Sequence, residues 1–234
     1  MDKFILQAED IMGFEKHAAR NSGIECIICS YDSLDKEIIL ANNKPIPIGS
    51  VEFCKRYLGS INKNIPVSIS YPPIIRNYLK RKVSVGIFKK IPLNYFVKPI
   101  GNKEFTGGIK KDIDHTIEPN DFVYYSEPIE IEQEFRFYID SEAKFTGKPI
   151  LGYSRYDSEE SEDLIPNLGI VSDIIDSYKD APRCYTIDMG YSKELGWFLV
   201  ECNDAWAIGY YGWGNMTDEK YLYFITERWN QIVL

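Results

Sequence analysis

The chain has 234 residues, of which 44% are hydrophobic and 14% aromatic, enough apolar material for one large domain or two small ones. Its 27 basic and 35 acidic side chains give a net charge of −8 at pH 7, which argues against general binding to nucleic acid or anionic lipid. The sequence contains neither the roughly 20-residue apolar run of a membrane helix nor a secretory signal. We therefore expect a cytoplasmic protein.

The cysteines and histidines favour structural roles. Cys26 and Cys29 form a C-x-x-C pair, but they lie inside IECIICSY, which we predict to be a buried strand, and no second pair completes a zinc site. We favour core cysteines over a metal or redox role. We also favour structural roles for the two histidines, His17 and His115. Any catalysis is then expected to rest on carboxylates, lysines and arginines.

The first part of the chain predicts a small α/β unit. KFILQAE predicts a strand, FEKHAARNSG a helix that ends at Gly23, and IECIICSY a second strand. VEFCKRYLGSI and IIRNYLKRKV then have apolar residues at helical spacing. Pro92 marks a boundary, and we divide the chain there into an N-terminal α/β region, residues 1–92, and a second region, residues 93–234.

Strands dominate the second region. The predicted strands are YFVKPI, DFVYYSEPI, EQEFRFYID, KPILGYSRY, CYTIDMGY and GWFLVECND. A helix is predicted in the second half of LIPNLGIVSDIIDSYKD. The acidic run at residues 157–163 predicts a solvated loop. A docked terminal helix is indicated by the helical spacing of Leu222, Ile225, Trp229 and Ile232.

Polar side chains interrupt the apolar pattern of these strands. Because side chains alternate across a strand, EQEFRFYID presents Glu134, Arg136 and Tyr138 on a face that we expect to look into a polar space. The opposite, core face consists of Phe135, Phe137 and Ile139. The same alternation predicts that one face of WFLVECND consists of Leu199, Glu201 and Asn203.

These positions suit a magnesium-phosphate site. Mg2+ prefers hard oxygen ligands, and the candidates for them are Asp188, Glu201 and Asn203. Phosphate requires complementary cations, for which the candidates are Lys98, Lys103 and Arg136. Gly107 and Gly108 permit a close approach of backbone N–H groups to phosphate.

Each candidate also has an ordinary structural interpretation. Lys98 can be a solvated lysine at a strand end, and Arg136 can form an ion pair with Glu134 or another carboxylate. Glu201 and Asn203 can belong to a turn at a strand end. The order of the parts along the chain favours a site over these alternatives.

That order resembles the ATP-grasp superfamily, and most closely its bacterial and phage clade named for one arginine and two lysines. The similarity runs from about Pro47 to the terminus and lies in PIGSVEF, YFVKPIGNKEFTGG, YYSEPIEIEQEFRFYI, YTIDMG and VECNDAWAIGYYG. The resemblance implies an α+β ATP-grasp fold with a short N-terminal α/β region.

The resemblance also implies residue roles. Lys98 and Lys103 would hold the phosphates of ATP, and Arg136 would stabilise the γ-phosphate or an acyl phosphate. The backbone of the hinge residues Ser126, Glu127 and Pro128 would pair with adenine, although YYSEP can also be a simple β-hairpin bend. The magnesium ligands would be Asp188, Glu201 and Asn203. For the aromatic-polar loop that follows these ligands, with Asp204, Trp206, Tyr210 and Tyr211, our own hypothesis is a substrate-facing role, with core packing as the alternative.

The activity implied by the resemblance is ATP-dependent ligation with ATP and Mg2+. A substrate carboxylate would attack the γ-phosphorus to give an acyl phosphate, and an amine would then displace phosphate. Neither substrate is identified by the sequence, and a peptide or protein end is our candidate. Two alternatives stay open: a kinase-like phosphotransferase on the same fold, and a non-catalytic nucleotide-binding interaction module.

Overall fold

The computed structural model describes residues 3–9, 13–41, 44–102, 104–113, 117–156 and 167–233. In these ranges the chain forms five α-helices and eleven strands in three sheets, which confirms the predicted mixed helix and sheet class. Three predicted features lie outside the described residues, namely Lys103, His115 and the acidic run at residues 157–163.

The first sheet is parallel and has the order β2-β1-β3. Its strands are β1 (Phe4–Gln7), β2 (Cys26–Cys29) and β3 (Ile46–Ile48). Its helices are α1 (Gly13–Asn21), α2 (Leu34–Ala41) and α3 (Val51–Ser60). The predicted strand-helix-strand opening is confirmed, and α1 is followed by Gly23 at a positive φ of 75°. Helix α2 was not predicted.

Strand β2 is an edge strand, and the prediction that it is buried is only partly correct. Ile28 is 52% exposed, whereas Cys29 is buried and Cys26 is half-buried. All five cysteines are free thiols, and burial raises the pKa of Cys29 to about 11. In the described part of the chain no group of three or more His, Cys, Asp or Glu side chains could hold a metal ion.

The second sheet is antiparallel and has the order β4-β7-β5-β6. Its strands are β4 (Ser84–Ile87), β5 (Phe96–Pro99), β6 (Gly108–Ile109) and β7 (Phe122–Ser126). Strand β4 was not predicted, because its four residues contain a glycine and its partner β7 comes much later in the sequence. The helical spacing of IIRNYLKRKV corresponds to a 3-10 helix over Pro73–Leu79, which ends at Lys80 in the left-handed conformation.

The third sheet is antiparallel and has the order β11-β10-β8-β9. Its strands are β8 (Gln133–Asp140), β9 (Ile150–Arg155), β10 (Cys184–Ser192) and β11 (Gly196–Asp204). All four were predicted, as was α4 (Leu168–Ser177). The face with Phe135, Phe137 and Ile139 is buried in a core under this sheet, as expected.

The terminal helix α5 (Asp218–Val233) docks the first sheet onto the third. Leu222, Ile225 and Trp229 are buried in a core that also contains residues of the first sheet, which confirms the predicted docked helix. Tyr138 belongs to this core rather than to a polar space, since it is fully buried and its OH donates to Gly209 O at 3.1 Å. No helix in the described ranges is long and apolar enough to cross a membrane.

A β-bulge in β11 corrects the predicted alternation of that strand. Asp188 pairs with Glu201 and Met189 with Leu199, so Val200 is an extra residue without a partner on β10. Because of this extra residue, the side chains that follow it lie on the face opposite to the one that regular alternation predicts. Leu199 therefore packs in the core with Cys202, whereas Glu201 and Asn203 face the opposite side. The prediction that Leu199 shares a face with Glu201 was wrong.

Candidate functional site

A cavity of about 1090 Å3 lies between the second and third sheets. Strands β5 and β11 form two of its walls, and the N-terminal ends of α1 and α3 also line it. The volume is slightly larger than the roughly 300–1,000 Å3 that is typical of small-molecule sites. The cavity brings together residues that are more than one hundred positions apart in the sequence.

Lys98 projects from β5 toward β11. Its neighbours Val97 and Pro99 are buried on the other face of the strand, which directs the Lys98 side chain into the cavity. The Lys98 ammonium donates to the Glu201 carboxylate and, at 3.1 Å, to Ser70 Oγ. It also lies 5.0 Å from the centre of the Tyr71 ring. Lys98 is therefore a partnered cation at the cavity wall and not a solvated lysine.

Arg136 and Asp188 form a buried bidentate ion pair. They are direct neighbours on β8 and β10, with Nε to Oδ1 at 2.9 Å and Nη2 to Oδ2 at 2.8 Å. The two residues are 4% and 1% exposed. The Arg136 guanidinium lies 5.1 and 5.3 Å from the ring centres of Tyr156 and Tyr211. Arg136 thus forms the ion pair that the sequence left open as an alternative, with Asp188 as its partner.

Asn203 joins the two carboxylates of the site. Its Nδ2 donates to Asp188 Oδ2 and to Glu201 Oε1, both at 3.0 Å. Burial acts to raise the pKa of Glu201, but the Lys98 ammonium, the hydrogen bond from Asn203 and the charge of Arg136 together outweigh it and hold that pKa below its ordinary value. A continuous polar network therefore runs from Arg136 to Lys98.

This cluster fits a magnesium ion. Two carboxylates and one amide are close enough to share hydrogen bonds, and the amide presents its oxygen when rotated by 180° about its terminal bond. Hard oxygen ligands that leave positions for water and phosphate are what Mg2+ requires. Asp188, Glu201 and Asn203 are the residues that would hold it.

The predicted hinge lies where the chain passes from the second sheet to the third. Ser126 ends β7 and pairs with Phe96, and the connection from Glu127 to β8 includes Pro128. Ser126 and Glu127 line the cavity. Ser126 is buried, whereas Glu127 is exposed and its Oε1 accepts a hydrogen bond from Tyr95 OH at 3.4 Å.

The two glycines lie next to Lys98. Gly107 lines the cavity, and a Cβ atom there would lie 3.0 Å from Lys98 Cβ and 3.1 Å from Phe96 Cζ. Gly108 begins β6 and pairs with Val97. Gly107 therefore permits a close approach of its backbone to the lysine that the resemblance assigns to phosphate.

The loop after β11 is anchored to the terminal helix. Arg228 forms a bidentate pair with Asp204, in which Nε donates to Oδ1 at 2.7 Å and Nη2 donates to Oδ2 at 2.6 Å. Trp206 and Tyr210 are 4% and 5% exposed and belong to the core, where Tyr210 stacks on Tyr221 at 4.8 Å. The loop also forms part of the cavity wall, so its residues combine core packing with contact to the cavity.

Sequence reasoning missed three residues of this site, namely Ser70, Tyr71 and Arg81. Ser70 and Tyr71 contact Lys98, and Arg81 lines the cavity beside β11. Nothing in SISYPP or KRKV distinguishes them from loop residues. Their roles depend on the edge of β11, which lies more than one hundred residues away.

Solved structures of similar fold define the class. D-alanine-D-alanine ligase from Bacillus anthracis in complex with ATP is similar at a TM-score of 0.53 and 12% identity, over 100% of this chain and 98% of that chain. The ADP complex of N5-carboxyaminoimidazole ribonucleotide synthetase is similar at a TM-score of 0.54 and 9% identity, over 97% and 77%. The fold is the ATP-grasp fold.

The family can be stated more closely. A protein-family model matches residues 78–220, which is more than half of the chain. It describes the ATP-grasp domain of family 2 in the clade named for one arginine and two lysines. The chain belongs to this family, and the resemblance inferred from its motifs is confirmed. No curated protein sequence matches the chain.

Proposed function

We propose that the chain is an ATP-dependent carboxylate-amine ligase that works through an acyl phosphate. The observation that carries this proposal is the meeting of Lys98 with Glu201 and Asn203 at one cavity wall. Asp188 lies buried behind them and accepts a hydrogen bond from Asn203. A cation beside a cluster of oxygen ligands is the arrangement needed to bind a metal-nucleotide complex. Membership of the ATP-grasp family supports the same function.

In this proposal the cavity holds ATP between the two sheets. Adenine pairs with the backbone of Ser126, Glu127 and Pro128, and the phosphates extend toward Lys98, Lys103 and the backbone of Gly107 and Gly108. Asp188, Glu201 and Asn203 hold Mg2+. When bound, Mg2+ supplies charge neutralisation on the phosphate oxygens. We expect Lys98 to exchange the Glu201 carboxylate for the phosphates, because both are anionic partners for its ammonium group.

The proposed reaction has two steps. A carboxylate oxygen of the first substrate attacks the γ-phosphorus of ATP, the bond to the bridging oxygen of ADP breaks, and an acyl phosphate forms. An amine nitrogen of the second substrate then attacks the acyl carbon, the carbon-oxygen bond breaks, phosphate leaves, and the nitrogen loses a proton to solvent. Lys98, Lys103 and Arg136 stabilise negative charge in the first step.

We further propose that the substrates bind at the cavity end formed by the N-terminal region, residues 1–92. This end includes Gly13 and Phe14 at the start of α1 and Ser50 before α3. These residues line the same cavity as Lys98 but are not among those assigned to adenine, phosphate or metal, so they are available to a substrate carboxylate. The end of a peptide or protein, with the rest of the chain in solvent, is our candidate for one substrate.

Two measurements test the proposal. Isothermal titration should detect ATP binding that depends on Mg2+ and is weakened at least about tenfold by Lys98→Ala. Lys111→Ala is the matched control, because Lys111 is an exposed lysine of the same region. Hydroxylamine should then trap the acyl phosphate as a hydroxamate when ATP and a mixture of carboxylates or peptides are supplied.

The outcomes separate the alternatives. Equal ATP affinity of wild type and Lys98→Ala would contradict the proposed nucleotide site. ADP release without hydroxamate would favour the kinase-like phosphotransferase. Nucleotide binding without ADP release for any substrate mixture would favour the non-catalytic module.

A further inference from the structure

Glu201 reaches the cavity only because of the bulge in β11. If the strand alternated regularly through Val200, without the bulge, Glu201 would turn to the core side occupied by Leu199. A bulge leaves backbone groups without partners in the ladder, and these groups require other hydrogen bonds. In the part of the chain that the structure describes, β11 is also the edge strand of its sheet, so no neighbouring strand supplies them.

Arg81 supplies these hydrogen bonds. Its Nη1 donates to Leu199 O and its Nη2 to Val200 O, both at 3.0 Å. Its guanidinium also lies 5.6 Å from the centre of the Phe198 ring. The planar fork of an arginine matches two adjacent carbonyls in a way that the single ammonium of a lysine cannot. Arg81 therefore holds the two residues that immediately precede Glu201.

A second contact holds the strand on the other side of Glu201. The Cys202 backbone N–H donates to Ser70 O at 3.0 Å, and Ser70 Oγ accepts a hydrogen bond from Lys98. The backbone on both sides of Glu201 is thus fixed by residues outside the sheet. Of these contacts, only the one from Arg81 acts on the bulge itself.

We infer that Arg81 is a positioning residue for Glu201: by holding the bulge at Val200, it directs the Glu201 carboxylate to Lys98 and Asn203. The inference rests on the proposed function in taking Glu201 as a metal ligand. Arg81 also lines the cavity, so a direct contact with nucleotide is the competing role. A positioning role should affect nucleotide binding only when Mg2+ is present, whereas a direct contact should affect nucleotide binding with and without Mg2+.

The test compares ADP binding with and without Mg2+ in Arg81→Gln, Arg81→Lys and Lys80→Met. Lys80 is the matched control, because its Nζ donates to Leu195 O at 2.8 Å in the same hairpin but away from the bulge. We expect Arg81→Gln to keep its metal-free ADP affinity within about twofold while the gain from Mg2+ falls about tenfold or more. Arg81→Lys should keep part of the gain in ADP affinity from Mg2+, and Lys80→Met should keep all of it.

Two results would overturn the inference: an unchanged gain from Mg2+ in Arg81→Gln, or an equal loss of affinity with and without Mg2+, which would indicate direct contact with nucleotide. Hydrogen exchange of residues 197–203 is a second readout that needs no ligand. Arg81→Gln should speed exchange of the Cys202 amide about tenfold relative to Lys80→Met, and equal exchange rates would overturn the inference. If wild type binds no nucleotide, the proposed function fails, and hydrogen exchange alone decides whether Arg81 holds the bulge.

Discussion

Lys98 and Glu201 form an ion pair that joins the second sheet to the third across the cavity. Their side chains are 14% and 23% exposed, so both charges are largely removed from water. Each has further partners, Ser70 for the lysine and Asn203 for the glutamate. The pair therefore connects the phosphate side of the candidate site to its metal side.

Removal of Lys98 should destabilise the protein. Lys98→Met leaves Glu201 close to Asp188 without its cation, and loss of one partner of a largely buried pair costs about 3 kcal/mol. Urea unfolding measures this change in the free energy of unfolding. The double variant Lys98→Met with Glu201→Gln should recover at least half of the loss, and Lys111→Met should be neutral. A double variant no more stable than Lys98→Met would show that the pair is not coupled.

Replacement of Arg136 by lysine in its bidentate pair with Asp188 should destabilise the protein. Arg136→Lys keeps the charge but loses one of two parallel hydrogen bonds and the contacts with Tyr156 and Tyr211. We expect a loss of about 2 kcal/mol in the free energy of unfolding. Arg76→Lys is the control, since Arg76 is exposed. Equal stability of the two variants would contradict the buried geometry.

An ion pair between α2 and α3 should make stability depend on pH. Hydrogen bonds from Arg56 and Ser60 lower the pKa of Asp35, so Asp35 stabilises the fold above its unfolded-state pKa of about 3.9. This contribution is lost as the pH falls through the lower, folded-state pKa. Asp35→Asn should therefore be less stable than wild type near neutral pH and approach it in acid. A stability difference independent of pH would contradict the pairing.

The cysteines should differ in reactivity. Burial raises the pKa of the thiols of Cys184 and Cys202, both fully buried, which suppresses the reactive thiolate. Cys26 is half-buried, and burial also raises its pKa. Mass spectrometry after brief iodoacetamide treatment of the native protein should find Cys26 alkylated first. Faster labelling of Cys202 than of Cys26 would contradict the packing of β11.

The regular elements were predictable from local patterns. Apolar alternation indicated all four strands of the third sheet, and helical spacing indicated α5, because these patterns depend on residues that are close in sequence. Helix α2 was missed although LDKEIILA contains good helix formers; with Ile39 and Leu40 largely exposed, it lacks a clear apolar face.

The parts of the site that escaped prediction depend on tertiary contacts. The bulge at Val200 has no sequence signal, since it contains no glycine, and Arg81 acts on it from 118 residues away. The sequence left the ion-pair partner of Arg136 open between Glu134 and any other carboxylate, and only the pairing of β8 with β10 selects Asp188. Residue types could therefore indicate the chemistry of the site, but not which groups contact each other.

The decisive measurement for the proposed nucleotide and metal site is a crystal structure with a non-hydrolysable ATP analogue and Mg2+. We expect adenine beside Ser126 and Glu127, phosphates in contact with Lys98, and a metal ion held by Asp188, Glu201 and Asn203. Lys98 should have moved from Glu201 to a phosphate oxygen. A nucleotide bound elsewhere, or one bound with Lys98 still paired to Glu201 and no metal at the carboxylates, would contradict the account.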